Sequence, residues 1–147
     1  MQRNTFYIVL ISWLVLDAIT KYLAFFYLKN PISLIWDFLS LKLIFNPGIA
    51  FGVTLHQPFL KVLTICLILW IFYYYFTEER KKNSWIIDVG FGLILAWAIW
   101  NGVERVWKSE VIDFISLQYF SVFNLADVLI TLGAILYLYA VYRETKK

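Results

Sequence analysis

Four stretches of the chain, about 7–28, 58–76, 85–106 and 123–142, are each apolar over the length of a bilayer crossing. A helix rises about 1.5 Å per residue, so roughly 20 apolar residues match a hydrocarbon core about 30 Å thick. Inside lipid every backbone N–H and C=O needs an internal partner, which makes a single span a helix. The intervening segments do not dilute the signal: 62% of the 147 residues are hydrophobic, against about 45–50% in a soluble domain. The sequence therefore predicts an all-α membrane protein of four transmembrane helices, with 1–147 as one integral membrane domain. The first run carries Asp17 and Lys21 and ends in no small-residue cleavage site, so a retained helix is expected rather than a signal peptide.

Cations set the orientation. Arg3, Arg80, Lys81, Lys82, Arg143, Lys146 and Lys147 lie on one side of the predicted spans, and Lys29, Lys42 and Lys108 on the other. The positive-inside rule puts both termini in the cytoplasm and segments 29–57 and 108–122 outside. In the first of these, the apolar pieces from Leu41 to Phe45 and from Ile49 to Val53 flank Asn46-Pro47-Gly48. Pro followed by Gly favours a tight turn, so a small extracytoplasmic β-sheet or hairpin is expected there. Pro58 suits the first turn of the second helix, where its missing N–H is harmless.

Several function classes drop out. One cysteine, Cys66, excludes an intrachain disulfide and a cysteine metal cluster, and reads as a small apolar filler. One histidine, His56, argues against a histidine-rich metal site or a Ser-His pair, so neither metal nor cofactor is expected. The net charge is only +3 and no basic stripe alternates with aromatics, so nucleic acid is not an expected partner.

What remains is a set of polar residues at membrane depth, where ionisable groups are costly and mark functional sites by default. Asp17 and Lys21 are four apart on one helix face, either as a self-neutralising pair or as a site residue with its partner. Asn101, Glu104 and Arg105 share a face of the third span, as an interfacial anchor or a buried network. Asn124 could cap the fourth helix with Asp127 as a favourable first-turn anion, or Asp127 could be catalytic. Asp113 sits in the apolar run from Val111 to Ile115, either on a strand facing water or held at the membrane surface as a site residue. The topology gathers Lys21, Asn46, Asn101, Glu104, Arg105, Asp113 and Asp127 at one membrane face. Two carboxyls are the minimum for activating water against a peptide bond. Intramembrane acids also build ion relays, but those need acids spread over several depths.

Four motifs in order, covering nearly the whole chain, resemble the lipoprotein signal peptidase (signal peptidase II) family. Asp17-Ala18-Ile19-Thr20-Lys21 is similar to its Asp-x-x-Thr/Ser-Lys motif, and Asn46-Pro47-Gly48-Ile49-Ala50-Phe51 to its Asn-x-Gly-x-Ala-Phe motif. Val111-Ile112-Asp113-Phe114 and Phe123-Asn124-Leu125-Ala126-Asp127 resemble the stretches that carry its catalytic aspartates. The resemblance implies an aspartic intramembrane endopeptidase of the bacterial inner membrane, with its active site near the outer face. Such an enzyme removes signal peptides from diacylglyceryl-modified prolipoproteins, cutting before the lipidated cysteine. Membrane lipids and globomycin-type inhibitors are its implied partners. Asp113 and Asp127 would form the dyad, one protonated and one ionised. Asn46, Asn101 and Asn124 would position substrate or dyad. Asp17, Lys21 and Arg105 would hold the network, with Gly48 and Ala126 as motif positions beside them. The chain departs from the family pattern near Asn101: Trp97 and Trp100 replace small residues and Glu104 replaces an aspartate. Two indoles where close helix packing needs small residues are expected to alter the packing or narrow the pocket. The alternative is a remodelled relative that binds lipidated peptides without turnover.

Overall fold

A computed structural model describes residues 4–36, 38–48 and 56–146. Four helices are long and apolar enough to cross a membrane: α1 (Thr5–Tyr27), α2 (Gln57–Thr77), α3 (Trp85–Lys108) and α4 (Leu125–Thr145). A 3-10 turn, Glu79–Lys82, links α2 to α3. The helices α1, α2 and α4 all pack on α3. This helix is the most enclosed: 67% of its most apolar stretch is buried, against 22%, 11% and 22% for α1, α2 and α4. The outward faces of the other three carry exposed Ile8, Val15, Leu69, Trp70, Ile135 and Leu138, as a lipid-facing surface requires. Cys66 belongs to that exposed face of α2 and fills no core position, which corrects the expectation from its residue type.

The close helix contact lies away from the two indoles. Gly90 of α3 and Gly133 of α4 oppose each other, and a Cβ built on Gly133 would come 2.7 Å from the Gly90 carbonyl oxygen. Backbones this close hold α3 and α4 in register, which matters because the candidate site is shared between them. Gly133→Ala is expected to cost about 1–3 kcal/mol by overpacking, read as a lowered thermal midpoint in detergent. An unchanged midpoint would mean that α3 and α4 separate freely.

The two ends of the bundle differ in chemistry. At one end Phe6, Tyr75, Ile87, Phe91 and Leu95 make an apolar core, with the Phe6 and Tyr75 rings stacked at 4.3 Å. Asp88, an acid in the first turn of α3 where the helix dipole favours it, accepts a hydrogen bond from Tyr75 Oη at 2.8 Å. Buried Glu79 accepts from the hydroxyls of Tyr74 and Tyr137 and pairs with Lys82 at 2.9 Å, tying the 3-10 turn to α4.

Over the opposite end lies an antiparallel sheet of four strands in the order β1-β2-β3-β4: Ile32–Ile35, Leu39–Asn46, Val111–Leu117 and Val122–Phe123. The sheet was expected, but its pairing differs. β2 forms a hairpin with β1 around Trp36, at φ 39°, and its other edge takes β3. The extended piece from Ile49 to Val53 lies outside the described residues. Segment 108–122 is largely strand rather than a plain loop. Ser109, at φ 64°, ends α3 and turns the chain straight into β3, so Asp113 folds back over the end of the helix that carries Asn101.

Candidate active site

Each polar residue sits where it does for a local reason. Asn124 caps α4: its Oδ1 accepts from the Asp127 backbone N–H at 3.1 Å, and Asp127 Oδ2 accepts from the Asn124 N–H at 3.0 Å. This reciprocal capping box satisfies two helix-end donors that would otherwise be orphaned. The capping reading of Asn124 and Asp127 is therefore correct, and it also orients the Asp127 carboxylate. The Asn124 amide has a second task. Its Nδ2 donates to Asp113 Oδ1 at 2.7 Å, and further to Asn101 Oδ1 and Ile112 O at 3.3 Å each. One fully buried asparagine thus holds both carboxyls.

Asp113 is on a strand but does not face water; it is 2% exposed. In the β2–β3 register Asn46 lies opposite Val111, which makes Asp113 its diagonal neighbour on the same face. Asn46 Nδ2 donates to Asp113 Oδ2 at 2.9 Å, while Asn46 Oδ1 accepts from the Gly48 N–H at 2.9 Å. Arg105 Nη2 donates to the Gly48 carbonyl at 3.3 Å.

The support beneath is built on Lys21, 2% exposed on α1. Its Nζ donates to Asn101 Oδ1 at 2.5 Å and to Glu104 Oε2 at 2.8 Å, and pairs with Asp17 Oδ2 at 3.0 Å. Asp17 Oδ1 accepts the Ala126 N–H at 3.1 Å, another first-turn donor of α4. Glu104 Oε2 accepts the Ile112 N–H at 3.4 Å, which ties β3 to α3. Asp17, Lys21, Asn46, Gly48, Asn101, Glu104, Arg105, Asp113, Asn124, Ala126 and Asp127 therefore lie in one connected network. Glu104 keeps its reach to Lys21 despite the longer side chain.

Trp97 lines the cavity, in keeping with the expected narrowing of the pocket, but its polar contact is one that the sequence did not show. Its indole Nε1 donates to Asp127 Oδ1 at 2.9 Å, where Asn101 Nδ2 also reaches at 3.5 Å. An aromatic in an apolar span reads as packing; the available signal was its position four residues before Asn101 on the same helix face. Trp100 lines a separate groove between α1 and α3 with Tyr22, Phe25 and Lys108, so only one of the two indoles contacts Asp127.

Both aspartates line a cavity of about 700 Å³. Its walls are Leu60, Leu63, Leu67 and Ile71 of α2 and Val128 and Ile130 of α4, with Arg105 and Asn46 at the polar end. Burial lifts the Asp113 carboxyl to about 6, with the nearby Asp127 charge pushing the same way and hydrogen bonds from Asn46 and Asn124 opposing. Among the described residues, no group of three or more His, Cys, Asp and Glu side chains could hold a metal ion.

Paired carboxyls under one asparagine, in an apolar cavity among four membrane-length helices, are the equipment of a membrane aspartic peptidase. A family model described as signal peptidase (SPase) II matches residues 9–143. The lipoprotein signal peptidase of Caldicellulosiruptor bescii is 36% identical over 141 residues, covering 95% of this chain and 91% of that protein. The lipoprotein signal peptidase of Clostridium tetani is 35% identical over 145 residues, covering 93% and 92%. A solved structure described as a bacterial membrane enzyme, determined in meso at 2.3 Å, superposes with a TM-score of 0.86 at 27% identity. That match covers 97% of this chain and 90% of the other. The chain belongs to the signal peptidase II family, and it is an aspartic endopeptidase.

Proposed function

We propose that Asp113 and Asp127 are the catalytic dyad of a peptidase that removes signal peptides from diacylglyceryl-modified prolipoproteins, cutting before the lipidated cysteine. The observation that carries this is the shared Asn124: one side-chain amide donates to Asp113 while its backbone N–H and Oδ1 fix Asp127. Asp127, half-buried beside the cavity, takes a proton from water as the water oxygen attacks the scissile carbonyl carbon. Asp113, the more deeply buried carboxyl, gives its proton to the carbonyl oxygen. The tetrahedral intermediate then collapses: the C–N bond breaks, the leaving amine receives the proton held by Asp127, and a hydroxyl of the intermediate returns its proton to Asp113 as the carbonyl re-forms. Two neighbouring carboxyls cannot both ionise cheaply, which supports the one-proton division of labour. The apolar α2 and α4 walls suit diacylglyceryl chains, and Arg105 and Asn46 suit the peptide backbone. A globomycin-type inhibitor would compete for the same cavity. The cation distribution supports cytoplasmic termini and a dyad near the outer face of the bacterial inner membrane. A relative that only binds lipidated peptides gains no support: of the two residues that suggested it, Glu104 serves the network through Lys21, and Trp100 lines a groove that does not include either aspartate.

The direct test is cleavage of a diacylglyceryl-modified prolipoprotein by the purified protein; no product from correctly folded enzyme would overturn the reading. The pH profile adds a second test. A raised carboxyl pKa means that the protonated form persists below about 6 and is lost as pH rises through that value. With Asp113 as proton donor, kcat/KM is expected to fall on the alkaline side with a midpoint of about 6. The fall in kcat should lie at higher pH, because bound substrate expels water and disfavours ionised Asp113 further. A kcat/KM that keeps rising from pH 6 to 8 would assign the proton elsewhere.

A further inference from the structure

We propose that Trp97 is a positioning residue of the dyad, its indole N–H fixing the orientation of the water-activating carboxylate of Asp127. The inference rests on the dyad reading above and goes beyond it. Asp127 has two oxygens with unequal support. Oδ2 is fixed by the α4 capping box through the Asn124 N–H at 3.0 Å. Oδ1 is reached by Asn101 Nδ2 only at 3.5 Å, the outer limit of a hydrogen bond. The Asn101 amide cannot swing closer, because its Oδ1 is committed to Lys21 and to Asn124. The strong donor to Oδ1 is therefore the indole, at 2.9 Å. A capping box alone holds one oxygen and leaves the carboxylate plane free to turn about that contact. The indole fixes the second oxygen and so the plane, which sets where the remaining lone pair meets water.

The chemistry favours Trp for this task. Indole Nε1 is a donor only, so it cannot take a proton from the dyad or offer it an acceptor. A hydrogen bond from a neutral donor to a carboxylate is charge-assisted and strong in a site of low polarity. The other groups facing Asp127 have different duties: Asp113 on β3 is its partner acid, Arg105 on α3 donates to Gly48, and Lys21 on α1 is held by Asp17, Glu104 and Asn101. Trp100 supplies an internal contrast, since its Nε1 is buried without a hydrogen-bond partner among the described residues.

The test removes the donor and keeps the ring. Trp97→Phe, and the isosteric β-(3-benzothienyl)alanine installed at position 97, are each expected to lower kcat by about 10–100-fold, the loss of one charge-assisted hydrogen bond. KM should stay within about two-fold, because uniform substrate binding is untouched. Trp97→Gln, which restores an N–H donor in a smaller side chain, is expected to recover part of kcat. A residue serving only as cavity wall gives the opposite order, with Trp97→Phe and the isostere near wild type and Trp97→Gln impaired; that order overturns the proposal. The isostere matches the indole in shape, so the comparison survives a Trp97→Phe form that fails to fold. Asp127→Asn in the same assay separates the two ideas. If it is inactive while the isostere keeps full kcat, the dyad stands and the role of Trp97 falls. If it is active, the dyad reading itself is wrong.

Discussion

Asp113→Asn and Asp127→Asn are each expected to lower kcat by roughly 10⁴-fold while leaving the protein folded. The size follows from the two halves of the reaction. Without a carboxylate at 127 no base removes the water proton, and without an acid at 113 the developing oxyanion has no proton donor. The loss corresponds to about 5.5 kcal/mol of transition-state stabilisation. Residues that act as one unit are not additive, so the double variant is expected to be little worse than either single one. The asparagine forms keep most hydrogen bonds: an amide oxygen at 113 still accepts from Asn124, and one at 127 still accepts the capping N–H. Lipopeptide binding is therefore expected to survive within a few-fold in Asp113→Asn. Single-turnover cleavage of prolipoprotein, followed beside binding and thermal unfolding, checks all three. Cleavage by either variant at a rate near wild type removes that aspartate from the dyad.

Asp113 and Asp127 stood out in sequence as candidate site residues because a carboxylate beside lipid is expensive, and nothing nearby on the chain neutralised Asp113. The four spans were legible from length and hydrophobicity, since lipid leaves a single apolar segment one solution. Pairing was less so. β3 alternates poorly because Val111, Ile112 and Asp113 are all buried, so the strand lacks a solvent face to betray its period. The β1–β2 hairpin turns at Trp36, an aromatic with positive φ, where sequence rules look for Gly or Asn. Asn124 was weighed as cap or site residue, yet a side chain with one oxygen and two N–H groups can serve both at once. Trp97 escaped because indole carries one polar atom on a large apolar body, and only tertiary structure says where that atom points. The small residues for close packing were sought around Trp97 and Trp100; the α3–α4 approach is instead at Gly90 and Gly133, about two turns away.

The second large effect belongs to a residue that touches no substrate. Lys21→Met is expected to cost about 3–5 kcal/mol, the toll for breaking a buried charge pair from one side. Lys21 Nζ spends its three N–H groups on Asn101, Glu104 and Asp17, at 2.5, 2.8 and 3.0 Å. Removing it leaves Asp17, 1% exposed, without its cation, and Glu104, 6% exposed, with only the more distant Lys108 at 4.0 Å. Water is too scarce there to screen them. Asn101 also loses its anchor, so the polar end of the cavity loosens together with the fold. Adding Asp17→Asn and Glu104→Gln to Lys21→Met removes the stranded charges, and an amide at 17 still accepts the Ala126 N–H. The triple variant is therefore expected to be more stable than Lys21→Met alone, a coupling between contacting residues that additive substitutions would not give. Thermal unfolding in detergent across this series measures it. Equal midpoints for wild type and Lys21→Met would mean that lipid or water, and not Lys21, compensates the two carboxylates, and that the dyad rests on a support other than this one.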